Sequence, residues 1–193
     1  LGLVIERVTG NSWEEEVQAR IFSPLGMVHS NFSIEAIKNS HNFSYPHAKR
    51  KNQMQIIPFQ KVVNMGPAGS INSNIEEMVH WIKLQLSEGV VDGKTLIQQS
   101  TLDEMRTIQV AAGEFPKGSS YLLGYGLGWY IGNYGGHYLV GHGGAVDGFI
   151  SSIFLLPQEN IGVIVLTNTS SCGENFVQCV NKSIFDRVLN LKP

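Results

Sequence analysis

The stretch GHGGAVDGF, residues 141–149, places four glycines within nine positions. The flanking sequence is rich in β-branched and aromatic residues, which predict strands. Glycine weakens a strand interior, so its presence there indicates a bulge, a bend or a close approach to the backbone. Two interpretations are open. Either Gly143, Gly144 and Gly148 only permit bulges, with His142 hydrogen-bonded to its neighbours, or a ligand approaches this backbone.

The sequence on either side of this stretch predicts a sheet followed by a helix. The β-rich runs are residues 125–131, 138–142, 149–156 and 161–167. Short connections containing Gly, Asn and Pro separate them, which indicates an antiparallel meander. Apolar residues then recur at helical spacing, at Phe176, Val180, Ile184 and Val188. We therefore expect a closing helix that packs this face on the sheet.

Upstream of the sheet, helix-start signals dominate. Ser12 with Glu15, and Ser73 with Glu76, have the spacing of a capping box. We expect the helix that follows Ser12 to reach about Phe22 and to be broken by the segment 24–27, which contains proline and glycine.

The polar, irregular segment 28–63 is predicted to be a long surface excursion with at most short strand pieces, such as residues 54–57, and 111–120 is predicted to be another loop. We therefore expect one domain in which residues 1–120 are mostly helix and loop and residues 121–193 form the sheet and the closing helix. Helices followed by an antiparallel sheet predict an α+β fold rather than a βαβ alternation.

Composition excludes several classes of function. The chain has 193 residues, of which 42% are apolar and 16% charged, with a net charge of −2. No basic stripe favours nucleic acid, and no apolar run reaches the roughly 20 residues of a membrane-spanning helix. The six histidines and two cysteines lack the usual metal-ligand spacings, so we expect neither metal nor cofactor. Cys172 and Cys179 are predicted to be free thiols.

Four features occur in an order that resembles one known family. They are the helix pair 1–10 and 21–27, the segment 67–73 that leads into a helix, the segment YGLGW at 125–129, and His-Gly-Gly at 142–144. Together they resemble the class C β-lactamase-like and penicillin-binding-protein-like serine hydrolases. The resemblance implies a β-lactamase/transpeptidase-like fold, in which an antiparallel sheet and its C-terminal helix accompany a helical subdomain.

The resemblance also implies roles for the glycine-rich strand. His142 begins the third motif of the family, which is Lys-Thr-Gly or His-x-Gly and lies beside the nucleophile. The backbone N–H of Ala145 is then expected to be an oxyanion-hole donor. Gly143 and Gly144 would let a substrate carbonyl approach such donors. Asp147 either faces a cationic group of the substrate or serves a turn.

Two further motifs of the family do not occur in these residues. No serine has lysine three positions later, and no tyrosine has asparagine two positions later. In the family, Ser-x-x-Lys supplies the nucleophile, Tyr-x-Asn shuttles protons, and both precede the helix that begins here at Leu1. We therefore expect the C-terminal portion of a domain whose N-terminal part is absent. That absent part would be its partner, and the isolated chain would be inactive.

The family implies a small acyl or peptide substrate and a periplasmic, cell-envelope or secreted location. His142 replaces the lysine of true β-lactamases, which favours esterase-like or D-amino-acid-peptidase-like activity over antibiotic hydrolysis.

Two alternatives to this interpretation exist. The segment Gly141–Gly144 also fits the oxyanion loop of a lipase, but the Gly-x-Ser-x-Gly motif required by that fold is absent. The other alternative is a non-catalytic module that holds a peptidoglycan-like or acyl ligand.

Overall fold

The computed structural model describes residues 1–62, 65–117 and 120–191. They form two compact units. The first unit comprises residues 1–81, 144–150 and 166–173, and the second comprises 82–143, 151–165 and 174–193.

The first unit contains most of the short helices and one small hairpin. Its elements are α1 (Gly2–Thr9), α2 (Trp13–Val17), a π-helical turn (Gln18–Phe22), α3 (Ser23–Leu25), α4 (Ile34–Asn39), β1 (His47–Arg50), β2 (Gln53–Ile56), α5 (Gly66–Gly69) and the first half of α6 (Ile75–Leu86). Part of its core is aromatic. Phe32 stacks on Phe22 at 5.2 Å between ring centroids and meets Trp13 edge-on at 5.0 Å.

The capping box at Ser12 is confirmed. The Glu15 N–H donates to Ser12 Oγ at 3.2 Å, and the Ser12 N–H donates to Glu15 Oε2 at 2.7 Å. The helical run ends within the predicted breaking segment 24–27, but three residues later than the predicted end at about Phe22. Helical turns continue to Leu25, because Pro24 lies in the first turn of α3, where its missing N–H costs little, and Gly26 at φ 67° ends the run.

The predicted start of α6 is displaced by one residue. Asn74, not Ser73, precedes the helix, and its Oδ1 accepts from the Glu77 N–H at 3.0 Å. The Glu77 carboxylate is buried and does not complete a capping box. It accepts instead from the His29 N–H at 2.7 Å and from Ser30 Oγ at 2.6 Å. The Glu77 carboxylate, which a capping box at Asn74 would use, is therefore engaged in a tertiary contact instead.

The predicted surface excursion 28–63 contains regular structure as far as residue 62. Besides α4, strands β1 and β2 pair antiparallel with His47 opposite Ile56. Their two-residue turn, Lys51-Asn52, has φ of 47° and 65°. Such positive φ values match the right-handed twist of a hairpin, but Lys-Asn is a weak signal for that turn. Val63 and Asn64 lie outside the described residues.

The second unit contains the main sheet. Its elements are the second half of α6, β3 (Val90–Val91), β4 (Lys94–Thr95), α7 (Gln99–Met105), β5 (Val110–Lys117), β6 (Ser120–Tyr125), β7 (Tyr130–Tyr134), most of β8 (His137–Val146), β9 (Phe149–Leu156) and β10 (Ile161–Thr167), and α8 (Gly173–Val188). The six-stranded order is β10-β9-β8-β7-β6-β5. The predicted loop 111–120 is wrong over the residues that lie in β5 and β6, and residues 118 and 119 lie outside the described part.

Sheet direction follows from the short connections. β5 to β8 are paired antiparallel. Gly135 and Gly136, at φ 57° and 96°, join β7 to β8, and Asp147 and Gly148 join β8 to β9. A parallel pair would need a crossover of a dozen or more residues. The predicted antiparallel sheet is therefore confirmed, and the strand bounds 149–156 and 161–167 agree with the prediction.

The closing helix α8 packs on the sheet through a different face from the predicted one. Phe185 is 2% exposed and lies 5.3 Å from the Tyr134 ring, and buried Asn181 donates to Ser152 Oγ at 2.9 Å. Phe176, by contrast, is 55% exposed, and Ile184 and Val188 are also exposed. The predicted stripe is one residue out of register, which on a helix is a rotation of about 100°.

This difference in α8 predicts a difference in stability. Phe185→Ala should lower the free energy of unfolding by about 3–5 kcal/mol, because it empties a buried aromatic position. Phe176→Ala should change it by no more than about 0.5 kcal/mol, because that ring is exposed. Urea unfolding of both variants measures this, and equal losses would contradict the observed helix orientation.

Candidate active site

Strand β8 continues beyond the end of β7, one of its two neighbours in the sheet. In the register between β7 and β8, Tyr134 faces His137 and Tyr130 faces Gly141, where the described pairing ends. β8 itself runs on to Val146. On the β7 side, the backbone from His142 to Val146 therefore has no strand partner in the described register.

The predicted oxyanion donor lies in this extension. Gly143, Gly144 and Ala145 are exposed within it. Exposed backbone amides at such a strand end can bind an extended ligand or a developing negative charge.

Packing explains some glycines of the stretch and not others. A Cβ at Gly141 would lie 2.0 Å from the Phe154 ring, so packing requires glycine there. Gly148 has φ +84°, and a Cβ there would lie 2.2 Å from Pro46. A Cβ at Gly143 would meet only the Ser151 carbonyl, at an ordinary 3.7 Å. The bulge-or-turn interpretation therefore accounts for Gly148, whereas the fold does not require glycine at 143.

His142 uses both ring nitrogens inside the chain. Nδ1 lies 2.6 Å from the Gly143 carbonyl oxygen, and Nε2 lies 3.0 Å from Tyr125 Oη. A carbonyl oxygen only accepts, so Nδ1 carries the proton. In the neutral ring Nε2 then has no hydrogen and accepts from the Tyr125 hydroxyl. These contacts assign the Nδ1–H tautomer to neutral His142.

Two tyrosine rings surround the imidazole. Tyr130 stacks on His142 with 5.2 Å between centroids and 23° between planes, and Tyr125 meets Tyr130 edge-on at 4.8 Å. Burial, with a smaller contribution from Tyr130, raises the pKa of Tyr125. Tyr125 therefore stays a neutral phenol that can donate.

The sequence places Tyr125 at the start of a predicted strand and of the YGLGW segment, and neither pattern indicates its contact with His142. The register places Tyr125 opposite Tyr130, and Tyr130 opposite Gly141, so the contact could have been found from correctly paired strands.

Asp147 lies in the turn between β8 and β9. Its carboxylate is exposed, and its N–H donates to Gln60 Oε1 at 3.4 Å. Next to Gln60, Phe59 stacks on Phe149 at 6.2 Å. The aspartate occupies a turn position, and its side chain is free to face solvent or a ligand.

Within the described ranges, no three His, Cys, Asp or Glu side chains are grouped as a metal site would require. No helix in that part of the chain combines the length and hydropathy needed to cross a membrane. Cys172 and Cys179 are both free and exposed, as predicted.

A family model described as Beta-lactamase matches residues 1–178. The chain belongs to the beta-lactamase family. The predicted family and its β-lactamase/transpeptidase-like fold are therefore confirmed.

Relatives of this beta-lactamase family member include two bacterial proteins. Protein flp of Staphylococcus aureus is 30% identical over 171 residues, which cover 89% of this chain and 32% of that protein. Penicillin-binding protein 4 of Amycolatopsis lactamdurans is 27% identical over 173 residues, which cover 87% of this chain and 44% of that protein. The chain thus spans a third to under a half of the length of these relatives.

Solved structures share the fold of this family member. An octameric penicillin-binding protein homologue from Pyrococcus abyssi matches with a TM-score of 0.77 and 28% identity, over 88% of this chain and 36% of that chain. A D-amino acid amidase from Ochrobactrum anthropi SV3 matches with a TM-score of 0.69 and 21% identity, over 98% of this chain and 53% of that chain. The amidase, at that identity, shows the fold alone.

The different environments of Gly148 and Gly143 predict different costs of the same substitution. Gly148→Ala should destabilise the chain by about 2–3 kcal/mol, because the new Cβ clashes and the positive φ disfavours alanine. Gly143→Ala should stay within about 0.5 kcal/mol. Denaturant midpoints test this, and a large loss for Gly143→Ala would show that the fold requires that glycine after all.

Proposed function

We propose that this chain forms one wall of the active site of a serine acyl-transfer hydrolase that works through an acyl-enzyme. The observation that carries the proposal is the exposed extension of β8 beyond β7, in which Gly143 is not required by packing. A site that leaves main-chain donors uncovered at such a position suits a carbonyl that becomes an oxyanion.

In the proposed reaction, a serine hydroxyl attacks the substrate carbonyl carbon and its proton passes to a base. The carbonyl oxygen becomes negative in the tetrahedral intermediate, and the Ala145 N–H donates to it. The carbon–leaving-group bond then breaks, the leaving group takes the proton, and water later releases the acyl group. Gly143 and Gly144 keep this approach open, and His142 forms the adjoining wall.

The serine and its base would come from residues outside this chain, because Ser-x-x-Lys and Tyr-x-Asn do not occur within it. We therefore infer that the chain is the C-terminal portion of a single domain and needs the remaining portion for activity. The coverage of a third to a half of its relatives supports this inference.

Small acyl or peptide compounds are the proposed substrates. A relative named as a penicillin-binding protein supports a small acyl compound as the substrate. His142 stands where true β-lactamases have a permanent cation, so a carboxylate-bearing antibiotic is the less suitable substrate. Asp147, exposed in the turn, is a candidate contact for a cationic substrate group.

A non-catalytic sensor of peptidoglycan-like or acyl ligands is the alternative. It is favoured by the absence of both nucleophile motifs from these residues. Intact Ser-x-x-Lys and Tyr-x-Asn motifs elsewhere in the full-length protein would support the enzyme. Degenerate forms of these motifs would support the sensor.

The proposal predicts that the 193-residue chain alone forms no covalent adduct. After incubation with a fluorophosphonate, intact-mass spectrometry should find the chain unmodified and the full-length protein labelled once. A single-site adduct on the isolated chain would refute the assignment of the nucleophile to other residues. An unlabelled full-length protein would favour the sensor.

Ala145→Pro in the full-length protein should lower kcat by about 100- to 1000-fold, because it removes the proposed oxyanion donor. Ala145→Gly keeps the N–H and is the matched control, for which we expect nearly full activity. Circular dichroism checks that both variants fold. Retention of kcat by a folded proline variant would remove Ala145 from the proposed mechanism.

A further inference from the structure

The hydrogen bonds of His142 leave it no proton for a substrate. Nδ1–H is held by the Gly143 carbonyl at 2.6 Å, and Nε2 is occupied by the Tyr125 hydroxyl at 3.0 Å. A neutral imidazole has one N–H, and here that N–H is already used. The group left to contact a ligand is therefore Tyr125 Oη, which donates its hydrogen to His142 and retains lone pairs that accept.

We propose that Tyr125 determines substrate specificity by fixing the Nδ1–H tautomer of His142, so that the pair offers substrate a hydrogen-bond acceptor rather than a donor. This inference rests on the proposed function, because it concerns the substrate of the same site. The ligand class that it predicts is an acyl donor bearing an ammonium, amide N–H or hydroxyl group. An acyl donor with a carboxylate at that position would be disfavoured, since lone pairs would face the negative charge.

The surrounding rings make this arrangement persistent. Tyr130 lies nearly parallel to the imidazole, at 23° between planes, and therefore limits flipping of the ring. Tyr125 packs edge-on against Tyr130, with 69° between planes, which holds its hydroxyl near Nε2. An exchange of the two nitrogens would require both the carbonyl contact and the phenol contact to break. The raised pKa of Tyr125, caused first by its burial, is consistent with a phenol that remains a donor.

The tautomer can be measured without any turnover. In the full-length protein with ¹⁵N-labelled histidine, at a pH where His142 is neutral, Nδ1 should resonate as a protonated nitrogen and Nε2 as an unprotonated one. Tyr125→Phe should shift the Nε2 resonance, because its hydrogen-bond donor is lost. Assignment of the proton to Nε2 in the unsubstituted protein would overturn the proposal, whatever the activity of the protein.

Specificity is tested with a matched pair of substrates, D-alanine p-nitroanilide, which carries a free ammonium group, and its N-succinyl derivative, which carries a carboxylate. The unsubstituted protein should prefer the ammonium compound. Tyr125→Phe should lower kcat/KM for that compound by about tenfold, the loss of one hydrogen bond to a charged group. It should not lower kcat/KM for the N-succinyl compound, because the hydroxyl lone pairs that face the carboxylate are removed. Equal losses for both would overturn the specificity role.

Tyr138→Phe is the matched control. It removes a phenolic hydrogen bond from β8, the strand that carries His142. This bond runs from Tyr138 Oη to the Arg106 carbonyl at 3.1 Å and does not involve His142. We expect neither the His142 resonances nor the substrate preference to change. Absence of turnover for both substrates in the unsubstituted protein would count against the proposed function, while the tautomer measurement would still decide the state of His142.

Discussion

The close approach of Gly141 to the Phe154 ring is the contact on which the central strands depend. A Cβ at this position would lie 2.0 Å from the ring, so β8 can lie against this side chain of β9 only with glycine there. The surrounding residues Val140, Leu155 and Leu156 are fully buried, which makes this region a close-packed core. Because β8 is fixed at Gly141, the residues that follow it extend past the end of β7 at a defined place.

The sequence predicted elements whose signals are local. The strands at 149–156 and 161–167 and the capping box at Ser12 depend on alternation and on residues three apart, and the structure agrees with them. At the start of α6, Asn74 caps the helix, Ser73 Oγ lies 2.7 Å from Ser30 Oγ, and Glu77 binds a distant segment. A propensity argument cannot anticipate such a contact, since the partner is 48 positions away.

The predicted buried face of the closing helix was wrong for a different reason. Its sequence offers two overlapping faces, one with Phe176 and Ile184 and the other with Phe185, and the more apolar face is the exposed one. The buried face includes Asn181, whose hydrogen bond to Ser152 a hydrophobic pattern does not detect. The partner of His142 was missed for a related reason. Tyr125 approaches it through strand pairing, and pairing register was not available from composition or spacing.

The open space around Gly143 has an evolutionary consequence. Most substitutions in a close-packed strand disturb folding, so selection against unfolded protein limits which residues can occur there. A position with only an ordinary 3.7 Å contact to the Ser151 carbonyl is free of that limit. Side chains of different size can appear there while the sheet stays intact. Gly143 can therefore be replaced without loss of the sheet, whereas any side chain at Gly141 would meet the Phe154 ring.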